Sequence, residues 1–407
     1  MNGFYRKTEL ATIRPPDPLV ARCGSCGLLD GCSSPKMPVH GKGRRKILIV
    51  GESPGGEEDR ANRPFVGKAG QHLRAALDKQ GVDLDDDCWT TNANICHPPR
   101  NKTPTDKQVG YCRPNLTRAV RDLQPEGIVL LGKNAVRSLI GWLWKDDPGS
   151  MDRWAGWTIP CQRLNTWVHP VHHPSYAMRQ LEARDTATQM YFEHYLREAF
   201  RVEGRPWPDG PPDYASRLRL VHDDREAADA VLLFKRAGRI AFDFETDRLK
   251  PDAEGSRIVS CSVSDGETSI AYPWLGEAVR ATKELLRSPV PKIAANVKFE
   301  ARWTRKHLGI EVRNWVWDTV VAAHLIDNRP EVCGLKFQAF VLLGQESYDD
   351  SVRPFLKGRD QGGNSPNRVG EIDLRSLLKY NAMDSLLEWE VARVQMERMG
   401  MPDGYVR

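Results

Sequence analysis

Two short apolar runs, each followed by a helical pattern, constrain the fold of the N-terminal half of this 407-residue chain more than any other feature. The runs lie at residues 46–51 and 127–132 and end in glycine, and their length and composition are typical of buried strands. The helical patterns that follow them are predicted to end at Gly81 and Gly141. Strands that alternate with helices predict an α/β domain with a largely parallel sheet, whose ligand loops lie at the carboxyl ends of the strands.

A Pro- and Gly-rich segment divides the chain into two parts that are each long enough for a domain. The second part begins with a helical pattern over residues 224–236 and a strand over 239–246, and its longest predicted helix covers 374–391. It is therefore also predicted to be α/β. We predict a domain over residues 1–202, a linker over 203–214 and a second domain over 215–407.

The composition excludes a membrane-spanning or a wholly disordered chain. Hydrophobic residues make up 40% and charged residues 28% of the sequence, and no apolar run approaches the roughly 18 residues that cross a bilayer. The first residues lack the apolar stretch of a secretory signal, which predicts a cytoplasmic protein without a membrane partner. A net charge of +5 permits a nucleic-acid partner without demonstrating one.

Nine cysteines in a chain without a secretory signal favour metal binding over a disulfide framework. Cys23 and Cys26 form a C-x-x-C pair, which we predict on a Gly-rich loop. Cys96 and Cys112 are flanked by prolines and are also predicted on loops. Four thiolates suit Zn²⁺ and a [4Fe–4S] cluster equally well, and reduced core cysteines are a third interpretation.

Five linked motifs in the first half resemble those of family 4 uracil-DNA glycosylases, over roughly residues 20–200. The motifs are Gly51-Glu-Ser-Pro-Gly55 with Glu58-Asp59, Pro64-Phe-Val-Gly67, Thr91-Asn-Ala-Asn-Ile-Cys-His-Pro-Pro99, Cys112-Arg-Pro114 and His173-Pro-Ser175. The resemblance implies a uracil-DNA glycosylase-like parallel-sheet α/β domain. It also implies that a [4Fe–4S] cluster, rather than zinc, is bound by the four cysteines Cys23, Cys26, Cys96 and Cys112.

The resemblance further implies how uracil is bound and released, although each residue taken alone could be a core or turn residue. The base must leave the DNA stack before it is read and cleaved. Phe65 would stack on the uracil ring, Asn92 would read its polar edge, and His173 would hydrogen-bond O2. Glu52 would favour the cationic sugar or orient the attacking water, and Glu58 would exclude a 5-methyl group. Ser53, which we assign to the substrate-binding loop, stands where the family usually has a smaller or apolar residue.

Acidic residues in three segments of the second half have the pattern of a two-metal site. Asp243 and Glu245 are two residues apart and share one face of a predicted strand. Tyr380 and Asp384 share one face of a predicted helix, and Glu300 lies near a strand-to-helix junction. Converging carboxylates are the requirement of two-metal phosphodiester hydrolysis, although a lone Asp-x-Glu pair usually faces solvent.

This set resembles the DEDD-type 3′–5′ exonuclease, in the tyrosine-bearing subclass found as the proofreading domain of DNA polymerase I, over about residues 215–400. The resemblance implies a ribonuclease H-like α/β domain that binds two divalent ions, Mg²⁺ or Mn²⁺. Asp243, Glu245 and Asp384 match the metal ligands, and Tyr380 matches the tyrosine that orients the water. Glu300 stands at a ligand position where the proofreading domain has aspartate. Asp318 is predicted to have a supporting role.

Together these resemblances predict a bifunctional DNA repair and replication enzyme that excises uracil and degrades DNA from its 3′ ends. The sequence contains no polymerase region before Arg407, so a separate phage-type DNA polymerase is a possible partner, in a bacterial or phage-infected cell. One alternative is an exonuclease whose N-terminal domain only senses uracil or clamps DNA. A second is a zinc-holding scaffold with both motif sets decayed.

Overall fold

The computed structural model describes residues 20–356, 358 and 365–401. The first residues, on which the localisation prediction depends, lie outside this range. None of the helices in the described part of the chain has both the length and the apolar character that crossing a membrane would require.

The chain divides into two compact units between Pro211 and Pro212, a position that falls inside the segment 203–214. The start of that segment packs on the N-terminal unit. The Arg205 guanidinium donates to the carbonyl of Asn165 at 3.0 Å, and Asn165 Oδ1 accepts the backbone N–H of Trp207 at 3.2 Å.

The N-terminal unit contains a five-stranded sheet in the order β2-β1-β3-β5-β4, parallel except for β4. Its strands are β1 (Ile47–Gly51), β2 (Cys88–Asn92), β3 (Gly127–Leu131), β4 (Ile159–Cys161) and β5 (Thr166–Val171). Its helices are α1 (Cys23–Cys26), α2 (Gly56–Ala61), α3 (Lys68–Asp78), α4 (Leu84–Asp87), α5 (Asp106–Leu123), α6 (Lys133–Leu143), α7 (Met151–Trp154), α8 (Pro174–Glu182) and α9 (Thr186–Arg201). Strands β1 and β3 are buried along their whole length, which confirms the predicted parallel α/β sheet.

Two local predictions for this unit are wrong. Helix α6 does not end at Gly141 but continues to Leu143, because Ile140 and Leu143 are both buried and packing extends the helix. The cysteines are not all on loops either. Cys112 lies inside α5, and the pair at Cys23 and Cys26 forms the single helical turn α1.

The C-terminal unit contains a six-stranded sheet in the order β11-β10-β7-β8-β9-β6. Its strands are β6 (Leu218–Leu220), β7 (Ile240–Thr246), β8 (Ile258–Ser264), β9 (Ser269–Pro273), β10 (Lys292–Ala294) and β11 (Trp315–Asp318). Strands β7, β8 and β9 are antiparallel neighbours, and β10 and β11 continue parallel to β7. This mixed order confirms the expected ribonuclease H-like class.

Helices cover this second sheet, and the longest is the last. They are α10 (Asp224–Leu233), α11 (Gly276–Arg287), α12 (Val297–Leu308), α13 (Thr319–Ile326), α14 (Leu335–Leu343), α15 (Arg353–Leu356) and α16 (Leu374–Arg398). Helix α16 extends beyond the predicted end at Val391, since Ala392, Gln395 and Met396 are buried against the sheet side of the unit. It packs on β7, β8, β9 and β10 and so brings its polar residues to the middle of the sheet.

Gly51, at the end of β1, has no side chain, and this allows Asn92 and Phe65 to approach each other. A Cβ atom on Gly51 would lie 2.4 Å from Asn92 Oδ1 and 2.9 Å from the ring of Phe65. Both distances are shorter than non-bonded atoms tolerate. Gly51 is therefore required by close packing, whereas Gly141 is not, because the nearest atom to its added Cβ would be 3.5 Å away.

We expect Gly51→Ala to lower the free energy of unfolding of the N-terminal unit by about 1–3 kcal/mol, because the added methyl group overpacks the end of β1. Gly141→Ala is the matched control. It should raise the free energy of unfolding by about 0.5–1 kcal/mol, since alanine is favoured in a helix interior. Urea denaturation followed by circular dichroism measures both. Equal stability of Gly51→Ala and the wild type would contradict the packing described here.

Candidate active sites

The cleft of the N-terminal unit lies where its parallel strands end. Glu52 follows β1, Asn92 ends β2, and His173 follows β5 at the start of α8. The cleft has a volume of about 860 Å³. It is lined by all six residues predicted to catalyse or to bind the base, namely Glu52, Ser53, Glu58, Phe65, Asn92 and His173. The fold thus brings together residues that are up to 121 positions apart in the chain.

Gly132 creates the space in which Glu52 and His173 meet. Its φ angle is +92°, and a Cβ atom there would lie 2.8 Å from Glu52 Oε1 and 3.0 Å from the Cβ of His173. Glu52 Oε1 also accepts the backbone N–H of Asn134 at 3.1 Å, in the first turn of α6. The helix N-terminus therefore fixes this carboxylate beside the histidine.

Glu58 clamps the loop that presents Phe65. Its Oε1 accepts the backbone N–H of Gly67 at 2.8 Å, and its Oε2 accepts that of Gly55 at 3.1 Å. Phe65 itself has a left-handed backbone with φ of +56°, and a Cβ on Gly70 would lie 2.1 Å from the Phe65 carbonyl oxygen. The ring position is thus set by three neighbouring constraints, while exclusion of a 5-methyl group by Glu58 stays a prediction.

Hydrogen bonds select the tautomer of His173. The backbone N–H of Ser175 donates to Nδ1 at 3.2 Å, and the Ser175 hydroxyl lies 2.7 Å from the same atom. Because a backbone N–H can only donate, Nδ1 is unprotonated and the neutral ring carries its proton on Nε2. Burial lowers the pKa of His173, Glu52 opposes that shift, and Arg179 adds to it. The cleft therefore contains a neutral imidazole with one N–H donor.

The four predicted cysteine ligands line one apolar cavity. The backbone N–H of Lys36 donates to Cys96 Sγ at 3.2 Å, and Asn115 Nδ2 donates to Cys112 Sγ at 3.4 Å. Burial raises the pKa of Cys96 to about 12 and also raises that of Cys112. Thiols in this setting become thiolates when a cation binds them, and N–H donors to sulfur are typical of iron–sulfur sites. The donor set fits such a group.

In the C-terminal unit, three acids meet at one point. Asp243 and Glu245 on β7 and Asp384 on α16 each offer a carboxylate oxygen, and these oxygens all lie within 4.8 Å of one another. Glu300 lies in the first turn of α12 and is 1% exposed. Glu300, the fourth predicted ligand, is not among the acids whose oxygens converge in the described part of the chain, but the negative charge of Asp243 acts on its carboxylate. Such an oxygen-rich set suits Mg²⁺ or Mn²⁺.

Asn381, which the sequence analysis missed, holds Asp243 in place. Its Nδ2 donates to Asp243 Oδ2 at 2.7 Å, and its Oδ1 accepts the Ser260 hydroxyl at 2.9 Å. The asparagine is fully buried. Its position directly after Tyr380 was the signal that could have identified it, because a polar residue inside a buried helix must find partners.

Two further residues, Lys336 and Tyr348, complete the surroundings of Tyr380 and Asp384. Lys336 Nζ donates to the Tyr380 hydroxyl at 3.0 Å and pairs with Asp349 at 3.0 Å. The Tyr348 hydroxyl donates to Asp384 Oδ1. No local pattern in the sequence marks Lys336 or Tyr348, since each reaches the site only through tertiary packing.

The supporting role predicted for Asp318 is confirmed. Its Oδ1 accepts the backbone N–H of Val320 at 2.9 Å at the start of α13, and its Oδ2 accepts that of Val297 at 2.9 Å at the start of α12. The carboxylate joins the starts of two helices. One of these helices carries Glu300.

Burial and mutual repulsion raise the pKa values of the acids in this site. Burial raises the pKa of Asp243 from 3.8 to about 8, and the neighbouring Asp384 adds to the shift. Burial likewise raises the pKa of Glu245, Glu300 and Asp384. The Lys336 ammonium group opposes the shift at Asp384. Carboxylates placed so close together are held in the ionised form by a cation.

Sequence comparisons match the two units to two families. The profile of the uracil DNA glycosylase superfamily matches residues 38–199, and a 3′–5′ exonuclease profile matches residues 218–387. The type-4 uracil-DNA glycosylase of Thermotoga maritima is 34% identical over 182 residues, which are 43% of this chain and 87% of that protein.

Two further relatives are matched over smaller shares of their own length. The type-4 uracil-DNA glycosylase of Pyrobaculum aerophilum is 40% identical over 124 residues, which are 30% of this chain and 61% of that protein. A DNA polymerase of Bacillus phage SP01 is 25% identical over 363 residues, which are 80% of this chain and 38% of the polymerase. The chain therefore spans less than two thirds of each of these two relatives.

Similar solved structures are more distant. Brucella melitensis NrnC is 19% identical with a TM-score of 0.34, and the match covers 46% of this chain and 85% of that chain. Escherichia coli RNase D is 17% identical with a TM-score of 0.33, and the match covers 45% of this chain and 46% of that chain. These likenesses are too distant to indicate a function.

We expect the stability of the metal-free C-terminal unit to fall as pH rises from about 4 to about 8. The raised pKa of Asp243, from 3.8 to about 8, means that the folded state binds more protons than the unfolded state in this window, and stability falls where that is so. Thermal unfolding in EDTA between pH 5 and pH 8 measures the effect. Added Mg²⁺ should raise the unfolding midpoint more at pH 8 than at pH 5.

The matched control for this experiment is Asp243→Asn, which removes one of the titrating acids and should reduce the dependence on pH, while Glu245, Glu300 and Asp384 retain part of it. A midpoint that is constant between pH 5 and pH 8 in the metal-free wild type would contradict the expectation.

Proposed function

Because the chain belongs to the type-4 uracil-DNA glycosylase family through its N-terminal half and carries a 3′–5′ exonuclease domain, we propose that it excises uracil from DNA and degrades DNA from the 3′ end. The observation that carries the first activity is the convergence of Glu52, Phe65, Asn92 and His173 on one cleft. The observation that carries the second is the group formed by Asp243, Glu245 and Asp384.

In the glycosylase site, the chain's own groups would bind the flipped base and stabilise the charges that develop. The Phe65 ring would stack on uracil, and the Asn92 amide would pair with its polar edge. The Nε2–H of the neutral His173 would donate to O2 as the leaving base becomes negative, a stabilisation that strengthens in the transition state. Glu52, fixed by the N-terminus of α6, would favour the cationic sugar or orient the attacking water.

The cavity lined by Cys23, Cys26, Cys96 and Cys112 is proposed to bind a [4Fe–4S] cluster. The support is the donor set of four thiols in one apolar cavity, with N–H donors at the sulfur atoms of Cys96 and Cys112. When bound, the cluster would tie α1 and the loop after β2 to α5. Its role would be structural, since the catalytic cleft lies at other residues.

In the exonuclease site, two divalent ions would supply the positive charge that the four acids Asp243, Glu245, Glu300 and Asp384 require. Among the chain's own groups, Tyr380 would orient the attacking water. Lys336 donates to the Tyr380 hydroxyl and so directs that oxygen. Asn381 and Tyr348 hold Asp243 and Asp384, which keeps both carboxylates available for the ions.

The arrangement of a glycosylase region ahead of an exonuclease also suggests where the protein acts. The similarity to a phage DNA polymerase extends over 80% of this chain. We therefore propose that the two activities serve replication or repair, with a separate phage-type polymerase as partner, in the cytoplasm of a bacterial or phage-infected cell. The two activities would then remove uracil and mispaired 3′ ends from the same template and primer.

We expect the protein in EDTA to release uracil from a 5′-labelled oligonucleotide, which alkali then cleaves at the abasic site. An oligonucleotide with thymine at the same position should remain intact. Asn92→Ala should reduce uracil release by at least about 100-fold, because loss of a buried polar contact to the base costs several kcal/mol in discrimination. Visible absorbance from the iron–sulfur group confirms that the variant retains its cluster.

We expect Asp243→Ala to abolish degradation of an unmodified 3′ end in Mg²⁺ while leaving uracil release unchanged, and Asn92→Ala to do the reverse. Because each variant should lose one activity and retain the other, the retained activity shows that the variant is folded. No uracil release by a protein with its cluster intact would leave the N-terminal unit as a sensing or clamping module. Exonuclease activity retained by Asp243→Ala would contradict the proposed cation site.

A further inference from the structure

Helix α16 carries a third buried polar residue in register with the two that belong to the exonuclease motif. Tyr380, Asp384 and Glu388 follow one another at intervals of four residues, so their side chains lie on one face of the helix. Glu388 is 1% exposed. The motif ends at Asp384 and assigns no role to Glu388.

Glu388 lies near the segment that leads into the helix of Glu300. The backbone N–H of Ala295, which lies between β10 and α12, lowers the pKa of Glu388, whereas burial and the neighbouring acids raise it. The Oε2 atoms of Glu388 and Glu300 each have no hydrogen-bond partner among the residues that the structure describes. Both side chains are 1% exposed, so bulk water does not solvate these oxygens.

An unpartnered buried carboxylate oxygen is rare, because desolvation without a compensating contact is costly. Here two occur, on Glu300 and on Glu388, and the charges of Asp243, Glu300 and Asp384 all act on Glu388. A divalent cation with oxygen ligands would satisfy both oxygens and offset the repulsion.

We propose that Glu388 is a fifth carboxylate of the cation site and that, together with Glu300, it binds one of the two divalent ions. Asp243, Glu245 and Asp384 then remain for the other ion. The glutamate at position 300, where the resemblance places aspartate, thus has a second long acid with which it shares its ion. This inference rests on the proposed exonuclease function.

Mn²⁺ binding to the full chain tests the inference, with free Mn²⁺ measured by electron paramagnetic resonance during a titration without DNA. The wild type should bind two Mn²⁺ ions at the C-terminal unit. Glu388→Gln should retain one and weaken the other by at least about tenfold, in the range found when groups around a metal are removed. The amide keeps the size of the side chain and removes its charge.

Glu390→Gln is the matched control. Glu390 lies on the same helix and is 7% exposed, but it pairs with Arg217 at 2.8 Å and with Arg393 at 3.1 Å. This substitution should leave Mn²⁺ binding unchanged. In EDTA it should lower the unfolding midpoint, because it removes the charge that pairs with Arg217 and Arg393. Glu388→Gln should instead raise the midpoint, because it removes a buried acid that has an unpartnered oxygen.

The possible outcomes separate this inference from the exonuclease proposal. A wild type that binds no Mn²⁺ would overturn the exonuclease proposal. Equal Mn²⁺ stoichiometry and affinity in the wild type and in Glu388→Gln would overturn the role of Glu388 alone and leave it as a protonated structural acid. Loss of one ion in Glu388→Gln, with both ions retained in Glu390→Gln, would support it.

Discussion

Repulsion among buried carboxylates is the constraint on which the C-terminal unit depends. Strand β7 lies between β8 and β10 in the sheet, and its acids Asp243 and Glu245 face α16, which brings Asp384 to the same point. Burial of these acids makes the ion-free fold less stable, because their charges are removed from water. Stability and the proposed cation binding therefore depend on the same set of side chains.

Polar contacts, most of them from neutral side chains, surround these acids. Asn381 donates to Asp243, Tyr348 donates to Asp384, and Lys336 reaches the Tyr380 hydroxyl. Only one of these partners carries a charge, and that charge is shared with Asp349. When the acids are ionised, the site has an excess of negative charge that the proposed divalent cations would offset.

The cleft of the N-terminal unit depends instead on two glycines, Gly51 and Gly132, at the ends of strands. Gly51 allows Asn92 and Phe65 to approach, and Gly132 allows Glu52 and His173 to approach. Because the carboxyl ends of parallel strands lie at one edge of the sheet, four residues from distant motifs line one cleft. The backbone hydrogen bonds of Glu52 and Glu58 then fix the loops around it.

The sequence by itself determined the two α/β units and predicted the motif residues of both candidate sites, since strand and helix periodicity and short motifs are local properties of the chain. It placed the end of α6 and the surroundings of Cys112 wrongly, because packing of Leu143 and the continuity of α5 override local turn signals. Only the tertiary structure decided the tautomer of His173, the partners Lys336 and Tyr348, and the unpartnered oxygen of Glu388. These features depend on distances between segments that the chain folds together, and on burial, which sets the cost of every charge left without a partner.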